Sequence, residues 1–116
     1  GGSQLRVKKK DTGYVLAVTD EPARNALRPC ADILYESLLE SDFDDITCVV
    51  LTGMGKDGTV GIKQLNDKRN IYVIGQNAAT CTVYGMPKSV ERAGLADRVV
   101  PLEAIAKEII GSVGVM

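Results

Sequence analysis

The stretch TCVVLTGMGKDGTVG, residues 47–61, joins an apolar segment to a glycine-rich turn and the start of a helix. The residues TCVVLT at 47–52 are apolar or β-branched without alternation, which is typical of a strand buried on both faces of a sheet. Glycines then permit tight turning, and a helix is expected from Gly58 to about Lys68. The stretch predicts a turn at the carboxyl end of a parallel strand, where α/β sheets bind ligands.

The segments on either side extend this pattern. Residues 71–75 (IYVIG) predict a second buried strand, and Val99 and Val100 a short third one. A helix is expected over about 29–41, because Pro29 suits the first turn of a helix. The last predicted helix carries an apolar stripe of Leu102, Ile105, Ala106, Ile109 and Ile110. This alternation predicts an α/β fold, a mostly parallel sheet with helices on both faces.

The N-terminal segment follows a different pattern. Residues 5–10 and 14–19 flank the turn sequence Asp11-Thr12-Gly13, and apolar residues alternate with basic ones in the first of them. This pattern predicts a β-hairpin with one solvated face. The adjacent Lys8, Lys9 and Lys10 are interpreted as part of that wet face, where they protect a strand edge.

Length and composition limit the classes of function. With 116 residues and 45% hydrophobic content, residues 1–116 are expected to form one domain or part of one. Balanced charge, 14 basic against 15 acidic residues, does not suggest a nucleic-acid surface. Without a run of roughly 20 apolar residues or a leader, the chain is expected to be cytoplasmic and not membrane-inserted. Cys30, Cys48 and Cys81 have no CxxC spacing and are expected to be free thiols, mostly buried.

The glycine turn admits two interpretations from its residues alone. Gly53, Gly55 and Gly58 form a G-x-G-x-x-G pattern between a strand and a helix, as in a dinucleotide site. Against this, Asp57 would lie near the phosphates, and Gln76 follows the next strand where a ribose-binding acid is usual. In the second interpretation the glycines only turn the chain and Asp57 caps the following helix. That leaves the backbone N–H of Met54, at the strand end, without an explanation.

Two longer stretches carry a family resemblance. The turn LTGMGKDGTVG, followed by QNAATCTVYGMPKSVERAGLADRVVPLEAI at 76–105, resembles the second half of the catalytic domain of CheB chemotaxis protein-glutamate methylesterases. The stretch DEPARNALRPCADILYESL at 20–38 is similar to the segment before it, so the resemblance covers nearly the whole chain. It implies part of a doubly wound methylesterase domain. Asp57 would be the acid of a Ser-His-Asp triad, and Met54 an oxyanion donor through its backbone N–H.

The resemblance also implies a reaction and its partners. The reaction is hydrolysis of glutamyl methyl esters on chemoreceptors, with related glutamine deamidation, through a serine acyl-enzyme and without metal or cofactor. A response-regulator domain would precede the catalytic domain.

The family's serine and histidine lie upstream of this region, and the present sequence contains no histidine. Gln4 and Leu27 stand where the family often has histidine. The serines present, which match neither the motif nor its place, are Ser3, Ser37, Ser41, Ser89 and Ser112.

Several expectations follow from these departures. The chain by itself is expected to be inactive as an esterase, because a triad acid acts only through its histidine. The alternatives are an inactive relative that binds a receptor or signalling partner, and a nucleotide-binding module. If the sheet is half of a larger one, an unpaired apolar edge strand favours a dimer or larger species.

Four further residues are weaker candidates. Lys56, beside Asp57, either steers an acidic partner or is simply solvated. Tyr84 and Met86 either line a receptor-binding cleft or pack in the core. Lys88 follows Pro87 at a helix start, where its positive charge is electrostatically unfavourable.

Overall fold

The computed structural model describes residues 1–114, in which two N-terminal strands are followed by alternating helices and strands. The elements are β1 (Gln4–Lys10), β2 (Gly13–Thr19), α1 (Ala31–Ser37), β3 (Asp45–Val50), α2 (Thr59–Lys68), β4 (Asn70–Gln76), α3 (Met86–Arg92), β5 (Arg98–Val100) and α4 (Ile105–Val113). Short 3-10 turns lie at Leu38–Glu40, Ala78–Thr80 and Leu102–Ala104. None of the helices in this part of the chain has the length and apolarity to span a membrane.

The strands β3, β4 and β5 form a parallel sheet in that order. Its two faces are covered by different helices. This agrees with the sequence prediction, because apolar runs without alternating polar residues are typical of strands buried on both faces. On one face the buried residues are Cys48, Val50, Ile62, Leu65, Val73 and Val90, from β3, β4, α2 and α3. On the other face Ile74 and Val100 pack with Ile105 of α4. Val73 and Ile74 point to opposite faces because successive side chains alternate along a strand. The predicted fold class is confirmed.

The strands β1 and β2 form a separate antiparallel hairpin, as predicted. Its register pairs Gln4 with Thr19 and Lys10 with Gly13. The edge of β1 lies along α1, where the Val7 N–H donates to the Ser37 hydroxyl at 2.8 Å. Lys8, Lys9 and Lys10 are exposed, as expected of a wet face. This contact fixes the hairpin beside the N-terminal half of the fold.

Two helical segments differ from the sequence prediction. The predicted bounds of 29–41 are wrong, since α1 spans Ala31–Ser37 and a 3-10 turn follows. Cys30, with φ −119° and ψ 125°, is extended, so Pro29 precedes the helix and does not occupy its first turn. The helix α3 (Met86–Arg92) lies where the sequence indicates only a helix start, beside Pro87. Its seven residues span about two turns, which is too short for a clear apolar period.

Candidate active site

The turn after β3 lies at the carboxyl edge of the parallel sheet. Gly55 and Gly58 have φ values of +85° and +99°, in the left-handed region where only glycine is free of strain. Between them and β3, the Met54 side chain is 85% exposed. The Met54 N–H donates to no acceptor within residues 1–114. The turn therefore presents a backbone donor that no part of the described chain uses.

The carboxylate of Asp57 caps helix α1. Its Oδ2 accepts the Ala31 N–H at 2.6 Å, and its Oδ1 accepts the Asp32 N–H at 3.0 Å. The Cys30 thiol also donates to Oδ1, at 3.2 Å. The three donors satisfy both oxygens of the carboxylate and hold it against the start of α1. The interpretation that Asp57 caps the helix directly after it is therefore wrong, because the helix it caps is α1.

Helix α2 is capped in return by Asp32. The Asp32 Oδ1 accepts the N–H groups of Gly58 at 3.0 Å and Gly61 at 2.8 Å, and the residue is only 5% exposed. The capping carboxylate of α2 thus comes from α1, and that of α1 comes from the turn before α2. Sequence analysis missed Asp32, for which the one local signal was an acid in the first turn of a predicted helix. A nucleotide phosphate at the start of α2 would have to displace this carboxylate, which counts against the nucleotide-binding interpretation.

Gln76 holds the end of β3 to the loop that follows β4. The residue is 1% exposed, its Oε1 accepts the Thr52 N–H at 2.8 Å, and its Nε2 donates to the Thr80 carbonyl at 2.8 Å. Both ends of the amide are therefore occupied by the protein itself. This buried bridge supports the turn that carries Met54.

Met54 and Asp57 line the same cleft. Its volume is about 500 Å³, and its walls are formed by Asn25, Leu27, Asp32, Met54, Gly55, Lys56, Asp57 and Val60. A second, smaller cavity of about 290 Å³ lies against Asp57 and is lined by Leu5, Pro29, Cys30, Ala31 and Leu34. Asp57 therefore lines both cavities, and it shares the larger one with Met54.

The thiol of Cys30 is a hydrogen-bond donor at this site. Burial, followed by the hydrogen bond to Asp57, raises its pKa above the ordinary value of a cysteine. A thiol in this environment keeps its proton at neutral pH. Cys30 and Cys48 are buried, and all three cysteines are free, as predicted.

One group of side chains has the composition of a metal site. The ligand atoms of Cys30, Asp32 and Asp57 lie within 4.8 Å of one another. Asp57 already accepts three hydrogen bonds through its two oxygens, and Asp32 accepts two through Oδ1. A cation bound here would have to compete with both helix caps. The group is therefore better explained as a paired capping arrangement.

The remaining sequence candidates lie in different environments. Gln4 is buried, donates from Nε2 to the carbonyls of Pro22 and Leu27, and accepts the Cys30 N–H, so it braces the segment before α1. Lys56 is an exposed residue of the cleft wall.

The candidates around α3 are bound by contacts within the fold. Met86 packs against the core cluster between the sheet and α2, which favours core packing. Tyr84 donates to Glu91, and this hydrogen bond, followed by burial, raises the pKa of Tyr84 to about 12. Lys88 is exposed near the start of α3.

Comparison with known proteins agrees with this geometry. Residues 1–109 match the family model described as CheB methylesterase. The chain is 42% identical over 115 residues to a protein of Desulfotalea psychrophila named protein-glutamate methylesterase/protein-glutamine glutaminase, covering 97% of this chain and 31% of the relative. A protein of Geobacillus kaustophilus with the same name is 36% identical over 114 residues. The match covers 98% of this chain and 33% of the length of that relative.

A solved structure is similar as well. The crystal structure of the Thermotoga maritima CheB methylesterase catalytic domain superimposes with a TM-score of 0.88 at 33% identity. The superposition covers 96% of this chain and 58% of that domain. The chain thus spans about a third of the length of these curated relatives and more than half of a solved catalytic domain.

Proposed function

Because this chain belongs to the CheB methylesterase family, we propose that it forms the acid-bearing part of a protein-glutamate methylesterase and protein-glutamine glutaminase that acts on chemoreceptors. The observation that carries the proposal is one cleft lined by both Asp57 and Met54, beside a Met54 N–H that no acceptor within residues 1–114 uses. A charge-stabilising acid and an oxyanion donor are two of the parts that acyl transfer from an ester requires.

In the proposed mechanism Asp57 acts through a histidine. A serine oxygen attacks the glutamyl carbonyl while the imidazole takes its proton, and the Asp57 carboxylate stabilises the resulting imidazolium. The imidazolium then protonates the leaving ester oxygen, or the amide nitrogen of a glutamine, as its bond to the carbonyl carbon breaks and methanol or ammonia departs. Water, deprotonated by the same imidazole, then attacks the acyl-enzyme and releases the glutamate carboxylate and the serine. Asp57 Oδ2 accepts one hydrogen bond within residues 1–114, from Ala31, which leaves it capacity to accept a histidine N–H.

Met54 would stabilise charge in the same steps. As the carbonyl carbon becomes tetrahedral, its oxygen gains negative charge, and a preorganised N–H in a cleft stabilises that charge. The exposed thioether of Met54 has no part in this role. The left-handed Gly55 beside it lets the backbone approach the substrate closely.

The histidine must come from outside these 116 residues, since the sequence has none. We propose the same origin for the serine, because none of the five serines present matches the family motif or its place. We propose that residues 1–116 are one part of a single catalytic domain, and that a response-regulator domain precedes it in the same polypeptide. The three free thiols are compatible with the proposed cytoplasmic location.

Methanol release from methylated chemoreceptor membranes tests this function. In the native polypeptide that contains this chain, Asp57→Asn should lower kcat by about 10⁴-fold, because the histidine loses its correct tautomer and its counter-charge. Asp67→Asn, the same change at an exposed position of α2, should leave the rate unchanged. The 116-residue chain alone should release no methanol above buffer.

The alternatives are separated by other outcomes. An Asp57→Asn variant with undiminished turnover, or turnover by the isolated chain, would contradict the triad role. A native polypeptide that binds receptor membranes without releasing methanol or ammonia would favour the inactive binding relative. A rise in thermal stability with millimolar NAD would favour the nucleotide-binding module, since a ligand stabilises the state that it binds.

A further inference from the structure

We propose, on the basis of the function proposed above, that Gly85 is a positioning residue that aims the Met54 N–H at the oxyanion. Gly85 precedes α3 and lies 31 positions after Met54 in the sequence. It acts through the backbone of Gly53, and it touches neither the substrate nor the triad.

The link between the two residues is one peptide unit. The carbonyl of Gly53 and the N–H of Met54 belong to the same peptide bond. A trans peptide is planar, and its C=O and N–H point in opposite directions. Within residues 1–114 the sole cis bond is Arg28–Pro29, so the Gly53–Met54 bond is trans. Whatever fixes the direction of the Gly53 carbonyl therefore fixes the direction of the Met54 N–H.

The Gly53 carbonyl is held by the start of α3. It accepts the N–H of Gly85 at 3.0 Å and the N–H of Met86 at 2.8 Å. The Gly53 N–H in turn donates to the Val83 carbonyl at 3.0 Å, so the residue is anchored on both sides. A carbonyl that accepts two hydrogen bonds is polarised, which strengthens the donor at the other end of its peptide. The start of α3 thus both aims and strengthens the Met54 donor.

A glycine is required at position 85 because there is no room for a side chain, and not because of its backbone angles. Its φ of −87° is open to any residue. A Cβ built there would lie 2.7 Å from the Gly53 oxygen, 2.8 Å from the Gly55 nitrogen and 3.0 Å from the Gly55 oxygen. All three are backbone atoms, which cannot rotate away as a side chain can. Any side chain at position 85 must push the turn that carries Met54.

A second contact supports the same arrangement. The Thr52 hydroxyl accepts the Val83 N–H at 2.8 Å and lies 3.1 Å from the Val83 carbonyl, to which it donates. This pair of bonds holds the segment before α3 against the end of β3. Thr52 therefore offers a second way to loosen the Gly53 peptide without adding volume.

The first test observes the peptide itself by NMR of the isotopically labelled 116-residue chain. Gly85→Ala should displace the Met54 amide resonance by many line widths, while resonances of α4 stay in place. Gly111→Ala is the matched control, because a Cβ at Gly111 meets nothing within 4 Å. A folded Gly85→Ala chain with an unmoved Met54 resonance would overturn the proposal.

The second test is kinetic and uses the native polypeptide that contains this chain. Gly85→Ala should lower kcat by about 10²-fold with little change in KM, as expected when one oxyanion donor is misdirected. Affinity for a boronate mimic of the tetrahedral intermediate should fall in parallel, and Gly111→Ala should change neither quantity. A purely structural role would instead lower the unfolding temperature and leave kcat of the folded enzyme intact, which would overturn the proposal.

If Gly85→Ala does not fold, Thr52→Val takes its place in both tests. This substitution keeps the shape of the side chain and removes both hydrogen bonds of the Thr52 hydroxyl to Val83. A smaller displacement of the Met54 amide resonance and a smaller selective loss of kcat are therefore expected. Unchanged values in both tests would overturn the proposal. A wild-type polypeptide without esterase turnover would contradict the proposed function, while the NMR experiment still decides whether Gly85 orients the Met54 peptide.

Discussion

Two aspartates near the carboxyl edge of the sheet each accept hydrogen bonds from backbone N–H groups at the start of a neighbouring helix. Asp57, from the turn before α2, accepts from the first amides of α1. Asp32, in α1, accepts from the first amides of α2. Orphan N–H groups at a helix start need acceptors, and both helices obtain them from a partner they pack against. The exchange holds Asp57 in one orientation, as the proposed role in a triad would require.

Removal of one partner tests this exchange. Asp32→Ala should lower the free energy of unfolding by about 1–3 kcal/mol, because the buried N–H groups of Gly58 and Gly61 lose their acceptor. Asp32→Asn retains an oxygen acceptor and should cost less. Urea unfolding of the three chains measures the difference, and equal stability of all three would contradict the capping role.

The pair of Arg6 and Glu21 makes a prediction for pH. Hydrogen bonds from Arg6 and Thr19 lower the pKa of Glu21 from 4.5 to about 2. Because the folded-state pKa is the lower one, the stabilisation is complete above pH 4.5 and is lost as the pH falls towards 2. Urea midpoints between these pH values should therefore fall more steeply for the wild type than for Glu21→Gln. Parallel pH profiles would rule the contribution out.

Among the elements, α1 and α2 pack so closely that one helix position must be glycine. A Cβ at Gly61 would lie 2.7 Å from the Tyr35 Cβ and 3.1 Å from the Asp32 Cα. Gly61 is buried in α2, where a glycine is otherwise unfavourable for a helix. The close approach also brings its N–H to the Asp32 carboxylate. Helix packing, and not local propensity, therefore explains this residue.

A matched pair of substitutions separates packing from propensity. Gly61→Ala should destabilise the fold by about 1–3 kcal/mol through overpacking, despite the gain in helix propensity. Gly111→Ala in α4, where the new Cβ meets nothing, should stabilise the fold by about 0.5–1 kcal/mol. Thermal and urea unfolding measure both values. A stabilised Gly61→Ala chain would show that the two helices can move apart at little cost.

For the whole molecule, the main feature is the free edge of the sheet. Within residues 1–114, β3 pairs with β4 on one side and with no strand on the other. This edge carries Thr47, Val49 and other β-branched or apolar residues, which favour pairing with a further strand. In the proposed function, the part of the domain that holds the serine and histidine would supply that strand.

The isolated 116-residue chain is accordingly expected to form a dimer or larger species. Light scattering at tens of micromolar should detect it, and Thr47→Lys should shift it towards monomer, because a charge on an edge opposes strand pairing. Leu102→Lys, an exposed position near β5 at the other side of the sheet, should have no such effect. A monodisperse monomer for the unmodified chain would contradict the prediction.

The sequence by itself determined the layered fold. Unbroken apolar runs at 47–52 and 71–75 specified buried strands, and helical periodicity with turn residues specified most of the helices. These signals are local, since the spacing of apolar residues along each segment indicates which of its faces is buried. The bounds of α1 and the existence of α3 were the parts least well encoded, because short helices carry too few turns to display a period. The glycine turn drew attention to Met54 and Asp57, but their roles as oxyanion donor and triad acid were implied only by a family resemblance.

Only the tertiary structure decided how those residues are held. Asp57 and Ala31 are 26 positions apart, and Gly53 and Gly85 are 32 apart, yet each pair is joined by a hydrogen bond. No local spacing encodes such contacts, because they form only when α1 packs on α2 and α3 docks at the end of β3. The capping role of Asp32 and the need for a bare backbone at Gly85 are consequences of that packing.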